Sequence, residues 1–466
     1  MRAEKLWLLG LLASVGGCPD RTIAAVSVDQ TRVEEKDFPA TLRRDVDILF
    51  LIDDSGSMKE EQDSLKANFH RFISVLESID GGLPSVHIGV TSSDLGTSAI
   101  DGSHGQAVGS CVGDGKAGAL RAVPGGGPRF LSDLDDGHGG RTRNYTGALT
   151  DVFAQIADVG IAGCGIEQHL EAMKRALDRT NTANAGFLRD DAYLAVIVIA
   201  DEDDCSLAKG ALFDGNPGDP GYGDRVNFRC TQEGVECDSP GTPLDQVGVR
   251  HDCHPRYDST LVTQTDRYVQ FLKTLKADPR DVVVAGIVGD EGPFTIKSKN
   301  GQPILDHSCQ YAGPTETQFA FPAIRTGDFL TQFPGRNTRT TICNSDLSSG
   351  LVQVAELLKE VVGNRCFTNQ PVDADPDAPG PQYDCTVTEV RHVANLPDAD
   401  LRVLPQCDPA RTTIPCWHID EDAEHCSYTA IDPHLALFIE RGSENPPEDV
   451  HIKASCVTKG SSSSFQ

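Results

Sequence analysis

Val46-Asp47-Ile48-Leu49-Phe50-Leu51-Ile52-Asp53-Asp54-Ser55-Gly56-Ser57 is the stretch whose reading decides the fold. Its first seven residues are almost continuously apolar, as expected of a strand buried on both faces of a parallel sheet. Leu65, Phe69, Phe72, Leu76 and Ile79 follow at steps of three and four, one stripe of an amphipathic helix. Val86 to Thr91 reads as a short strand, and Ile166, Leu170, Met173 and Leu177 as a second helical stripe. Leu194 to Ala200 is again a fully apolar strand. Tyr268, Leu272 and Leu275 mark a helix and Val282 to Val288 a strand, and a last stripe runs from Leu347 through Leu351, Val354 and Leu358 to Val361. Strands alternating with helices predict an α/β fold of the Rossmann-like kind, a doubly wound, mostly parallel sheet with helices on both faces.

That pattern occupies residues 45–364 and is interrupted near 94–147, 203–255 and 290–337 by Gly-, Pro- and Asp-rich stretches. They are too long for ordinary loops and are expected to be disulfide-rich insertions. Residues 19–44 read as a polar tether and 365–384, with its clustered Pro and Asp, as a linker. Residues 385–460 hold five cysteines and short β-type runs, which predicts a small Cys-rich β module, and the Ser-rich residues 461–466 read as a disordered tail.

Arg2 and Lys5 precede the apolar run Leu6 to Ala13, with small residues up to Cys18. This is the layout of a signal peptide, too short to span a bilayer as a mature helix. Val15-Gly16-Gly17-Cys18 resembles a bacterial lipobox, which implies lipidation at Cys18 and a membrane attachment through that lipid alone. Fifteen cysteines less Cys18 leave fourteen, an even number that can pair fully in an oxidising compartment. A formal charge of −28 disfavours nucleic acid as a partner, because phosphate binding needs basic surface.

Chemistry concentrates where the first buried strand ends. Asp53, Ser55 and Ser57 place a carboxylate and two hydroxyls at alternate positions before a helix, and the second fully apolar strand ends in Asp201. Ligands of open α/β sheets bind at the carboxyl ends of strands, and hard cations take oxygen donors of this kind. Asp-x-Ser-x-Ser after one apolar strand, with Asp after a later one, resembles the metal-ion-dependent adhesion site of von Willebrand factor A (vWA) domains. The resemblance implies a metal site at Asp53, Ser55, Ser57 and Asp201 that holds Mg²⁺, or Mn²⁺ or Ca²⁺, and leaves one position open for an acidic group on a partner. The chain departs from that pattern at Gly163-Cys164-Gly165-Ile166, where the family has a Thr. Glu167 is a possible additional oxygen ligand there, or else a solvated helix residue. Cys164 and Cys205 are expected to pair and brace the rim. The departure resembles a cysteine-rich group of bacterial, myxobacterial-type surface lipoproteins.

No Gly-x-Ser-x-Gly, His-Glu-x-x-His or phosphate-loop pattern is present, so no enzyme activity is expected. The resemblance implies cation-dependent ligand binding or adhesion at the bacterial cell surface or outer membrane, toward a protein or surface ligand with an acidic group. The alternatives are a structural envelope lipoprotein with a vestigial site and, behind it, an extracellular metal-assisted hydrolase.

Overall fold

The computed structural model describes residues 31–40, 44–79, 82–136, 138–213, 226–239, 243–314, 316–363, 365–375, 377, 380–391, 398–423, 426, 429, 431–444, 446 and 450–459. The expected leader, Cys18 and the Ser-rich tail lie outside them.

The decisive stretch forms the strand Asp45–Ile52 at the centre of a seven-stranded sheet. Across that sheet the order is Asn337–Thr341, Val282–Val288, Tyr193–Ala200, Asp45–Ile52, Ser85–Ser92, Leu131–Asp135 and Arg141–Arg143. The first five run parallel, and the last two are added antiparallel at the edge. Alternation along Asp45–Ile52 feeds two cores. Ile48, Phe50 and Ile52 pack on one side with Phe69 and Phe72 of helix Lys59–Glu77, Phe153 of Leu149–Ile156 and Leu351 of Ser348–Gly363. Leu49 and Leu51 pack on the other with Leu170, Tyr268 and Phe329. Phe50 is the hub of the first core, its ring 5.9, 5.7 and 5.0 Å from Phe69, Phe72 and Phe153. Asp47 is the one buried charge of this strand, and Arg189 satisfies it through its Nε and its backbone N–H, both at 2.7 Å.

The expected doubly wound, mostly parallel α/β class is corrected for the chain as a whole. The described residues are β-rich, with nineteen strands in five sheets against seven helices. Four of those sheets are wholly antiparallel. The physical reason lies in the stretches without a long apolar run, where short strands with polar outer faces give little hydrophobic signal. Within 203–255 and 290–337 these strands are Val235–Ser239, Gly248–Pro255, Phe294–Lys299, Gln302–Leu305, Cys309–Ala312 and Thr317–Ala320.

Two boundaries also differ from expectation. Thr31–Pro39, within the expected tether, is an edge strand paired along its full length with Val450–Lys459. Part of the expected linker is tied into the same module, since Cys366 is bonded to Cys426 and Pro371 bridges Thr458. This module has its own core of Phe38, Phe367, Val387, Trp417, Leu437 and Ile452. The Trp417 indole N–H donates to the Leu404 carbonyl at 3.1 Å.

All fourteen cysteines after Cys18 are paired. Seven disulfides fit a chain that matures in an oxidising compartment outside the cytosol. Among the described residues no helix is long and apolar enough to cross a membrane.

Candidate cation site at the strand ends

Register brings the candidate residues together. Ile52 pairs with Ile199, and the Asp53 N–H continues the ladder to the Ile199 carbonyl at 3.0 Å, so Asp53 and Asp201 leave adjacent parallel strands at one edge. The turn after Asp53 is closed by the Ser55 N–H, which donates to Asp53 Oδ1 at 2.7 Å. It carries the Ser55 and Ser57 hydroxyls to 3.1 Å of each other. Ser57 also hydrogen-bonds Asp201. Gln62 braces the turn from the helix, donating to the Asp53 carbonyl at 3.0 Å and the Gly160 carbonyl at 2.9 Å. Asp53, Ser55 and Asp201 are buried, whereas Ser57 and Gly56 are exposed and open the group to solvent.

Glu167, expected as an optional ligand or a solvated helix residue, is neither solvated nor helical. It lies just before helix His169–Leu177, 3 % exposed, and hydrogen-bonds Glu202. Among the described residues Asp53 Oδ2, Glu167 Oε1 and Asp201 Oδ1 are buried without a hydrogen-bond partner. Burial pushes Asp53 well above the usual carboxylate range, and the Asp201 and Glu202 charges push it further. Burial, then Glu202, does the same to Glu167 and brings Asp201 up to about 8. Lys116, the cation on a neighbouring loop, is instead held by Asp54. The Asp54 carbonyl accepts from Gly163 at 2.9 Å, so consecutive aspartates serve opposite sides of the turn.

Several buried carboxylates facing one another without a counter-charge are unfavourable unless they take up protons or a cation. The available donors are carboxylate and hydroxyl oxygens, which suit Mg²⁺, Mn²⁺ or Ca²⁺ better than softer metals. Among the described residues no three His, Cys, Asp or Glu side chains form a ready-made metal cluster. The donor set here relies on the two serines as much as on the acids.

The expected Cys164–Cys205 disulfide is corrected. Cys164 pairs with Cys111 and Cys205 with Cys230. The two segments do lie side by side, with the Cys205 N–H donating to the Glu167 carbonyl at 2.7 Å. Each cysteine is nevertheless bonded to one from an insertion, so the disulfides dock the insertions onto the rim. The acidic run after Asp201 is tied into the fold. Asp204 is buried and meets Arg325 at 3.0 Å, while Asp203 accepts from the Arg325 and Thr326 N–H groups at 2.9 Å. These contacts leave Asp203 and Asp204 serving structure.

Two further residues belong to the surroundings. Glu61 lies four positions after Ser57, in the first turn of helix Lys59–Glu77, and its buried carboxylate adds to the field on Asp201. That spacing was available in the sequence. Tyr311 donates to Glu61 at 3.0 Å from the hairpin Cys309–Ala312/Thr317–Ala320, and nothing in the sequence signals this contact. The same hairpin leads to Phe321, whose N–H donates to the Asp201 carbonyl at 2.7 Å.

No family model matches the sequence, and no curated protein matches it. On that result and the β-rich architecture, the resemblance to vWA domains and to their lipoprotein group is withdrawn. Solved structures similar to the chain include proximal thread matrix protein 1 from the mussel byssus, at 13% identity and TM-score 0.31, covering 70% of this chain and 50% of that one. The pilus adhesin RrgA from Streptococcus pneumoniae matches at 10% identity and TM-score 0.28, over 93% of this chain and 59% of that one. The pilus adhesin SpaC from Lactobacillus rhamnosus GG matches at 10% and 0.30, over 94% and 42%. The chain thus spans about half the length of these three structures. A likeness this slight carries no functional argument.

Proposed function

We propose that the chain binds a divalent cation, Mg²⁺ or Mn²⁺, through Ser55 and Ser57 with Asp53 and Asp201, and Glu167 on the inner wall. The bound cation would offer a coordination position to an acidic group on a partner protein or surface. The chain would then act without turnover, as a cation-dependent binding or adhesion protein exported to the bacterial envelope and held there by lipid on Cys18. The observation that supports this reading most is the set of orphaned buried oxygens on Asp53, Glu167 and Asp201, beside two serine hydroxyls at a solvent-open mouth.

Calorimetric titration of Mg²⁺ and Mn²⁺ into oxidised residues 19–466 tests it. Saturable binding is expected, weakened at least about tenfold by Ser55→Ala, since one ligand is lost from a small set. A folded wild type that takes up neither ion would return the serines to the role of turn residues and leave a structural envelope protein.

A further inference from the structure

A large cleft lies away from the strand-end site, between the C-terminal module and the seven-stranded sheet's helical layer. It encloses about 550 Å³, within the range of small-ligand pockets. Its floor is one face of three antiparallel strands. Glu35, Ser455 and Thr386 stand directly opposite one another across them, with Asp37, Lys453 and Thr388 in the next row. The other face of these strands supplies Val387 and Ala454 to the module's core, so the cleft-facing side is the polar one. The Cys385–Cys456 disulfide joins two of the strands one position from the first row and holds them in register.

Arg336 and Glu360 form the opposite wall. Neighbouring charges are engaged: Arg280 by Asp278 at 2.9 Å, and Lys453 by Asp398. The charged ends of Arg336, Glu35 and Glu360 are not. Among the described residues none of them has an ion pair or a side-chain hydrogen bond, and Arg336 only adds to the field on Asp37. Only Pro334, Gly335 and Ala454 of the lining residues lack a hydrogen-bonding side chain.

We infer that this cleft binds a neutral, polyhydroxylated ligand, a saccharide unit of a surface glycan. A guanidinium and two free carboxylates supply donors and acceptors, and the hydroxyls of Thr386, Thr388 and Ser455 supply both, which matches the alternating character of sugar hydroxyls. None of the lining residues has an aromatic or branched aliphatic side chain to pack against the apolar side chain of a peptide. Glu35 and Glu360 repel a polyanion such as a sulfated chain.

The test is saturation-transfer NMR with calorimetry on the full oxidised chain, using maltotriose, cellotriose and chitotriose at millimolar concentration and a sulfated heparin disaccharide as contrast. Saturable binding of a neutral trisaccharide is expected, unchanged by EDTA and at least about tenfold weaker in both Arg336→Ala and Thr388→Val, since each removes a hydrogen bond from a small set. Both variants should melt as wild type does. The assignment is overturned if no trisaccharide binds, if both variants bind as wild type does, if the sulfated sugar binds better, or if EDTA abolishes binding. The last result would move the sugar to the strand-end site, whereas failure of cation binding alone leaves this cleft untouched.

Discussion

Asp201 shows how much a single position carries. Its strand delivers it beside Asp53, burial and Glu202 push it up to about 8, and the Ser57 hydroxyl hydrogen-bonds it. A carboxylate so raised holds its proton near neutrality, and a cation must displace it. Proton release on Mn²⁺ binding at pH 7 is therefore expected. It is read as a dependence of the calorimetric heat on buffer ionisation enthalpy, and Asp201→Asn should reduce it, the remainder coming from Asp53 and Glu167. Arg325 makes the contrasting case. It is 1 % exposed and reaches Asp204 at 3.0 Å and the Thr263 carbonyl at 2.6 Å. Arg325→Leu leaves Asp204 buried without its counter-ion and should cost about 3–5 kcal/mol in denaturant unfolding. At this scale the sequence was informative for Asp53, Ser55, Ser57 and Asp201, because spacing and strand ends are local facts. It offered Glu167 only as one of two readings and gave no role to Glu202, because the burial of Glu167 beside Glu202 depends on segments far away in sequence.

Among the elements, the strand Asp45–Ile52 does the organising. Its alternate side chains serve two cores, and Phe50 contacts three rings from two helices. Phe50→Ala should therefore lower stability by about 3–5 kcal/mol, since the cavity is walled by helices that cannot collapse into it. The buried strands and the longer helices were legible, because a continuous apolar run or a 3.6-residue stripe survives whatever surrounds it. The hairpin Cys309–Ala312/Thr317–Ala320 was not. Its exposed and buried residues alternate over only four positions a side, and the Cys309–Cys343 disulfide does what a longer apolar stretch would do elsewhere. Pairing of cysteines is equally illegible: parity gave the number of bonds, but Cys164 and Cys205 find their partners through insertions whose docking no spacing encodes. Peptide mapping of the non-reduced protein should return Cys111–Cys164 and Cys205–Cys230, and a Cys164–Cys205 peptide would contradict the docking described above.

Over the whole molecule, the two ends of the pH scale strain different parts. In the C-terminal module burial raises Asp37 and Glu389, but His451 and Arg280 outweigh it at Asp37, and Arg402 and Arg441 at Glu389, so both end below their ordinary values. Depressed carboxylates stabilise the fold above their ordinary values of 3.8 and 4.5 and lose that contribution as pH falls through their folded values. Asp201 has the opposite sign. Its raised value favours the cation-free fold at low pH and forfeits that advantage as pH rises from 3.8 toward about 8. Thermal melts across pH should thus decline toward neutrality in EDTA, and Mg²⁺ should restore the neutral side alone. The β-rich architecture was the least legible property at this scale. Strand Thr31–Pro39 meets Val450–Lys459 across almost the whole chain, a pairing that no local window contains.

The most direct test of the central claim is anomalous diffraction from crystals grown with Mn²⁺. A peak is expected at the end of strand Asp45–Ile52, ligated by the Ser55 and Ser57 hydroxyls with Asp53 and Asp201 around it. Well-ordered crystals with no manganese at that point, or with manganese bound only elsewhere on the acidic surface, would contradict it.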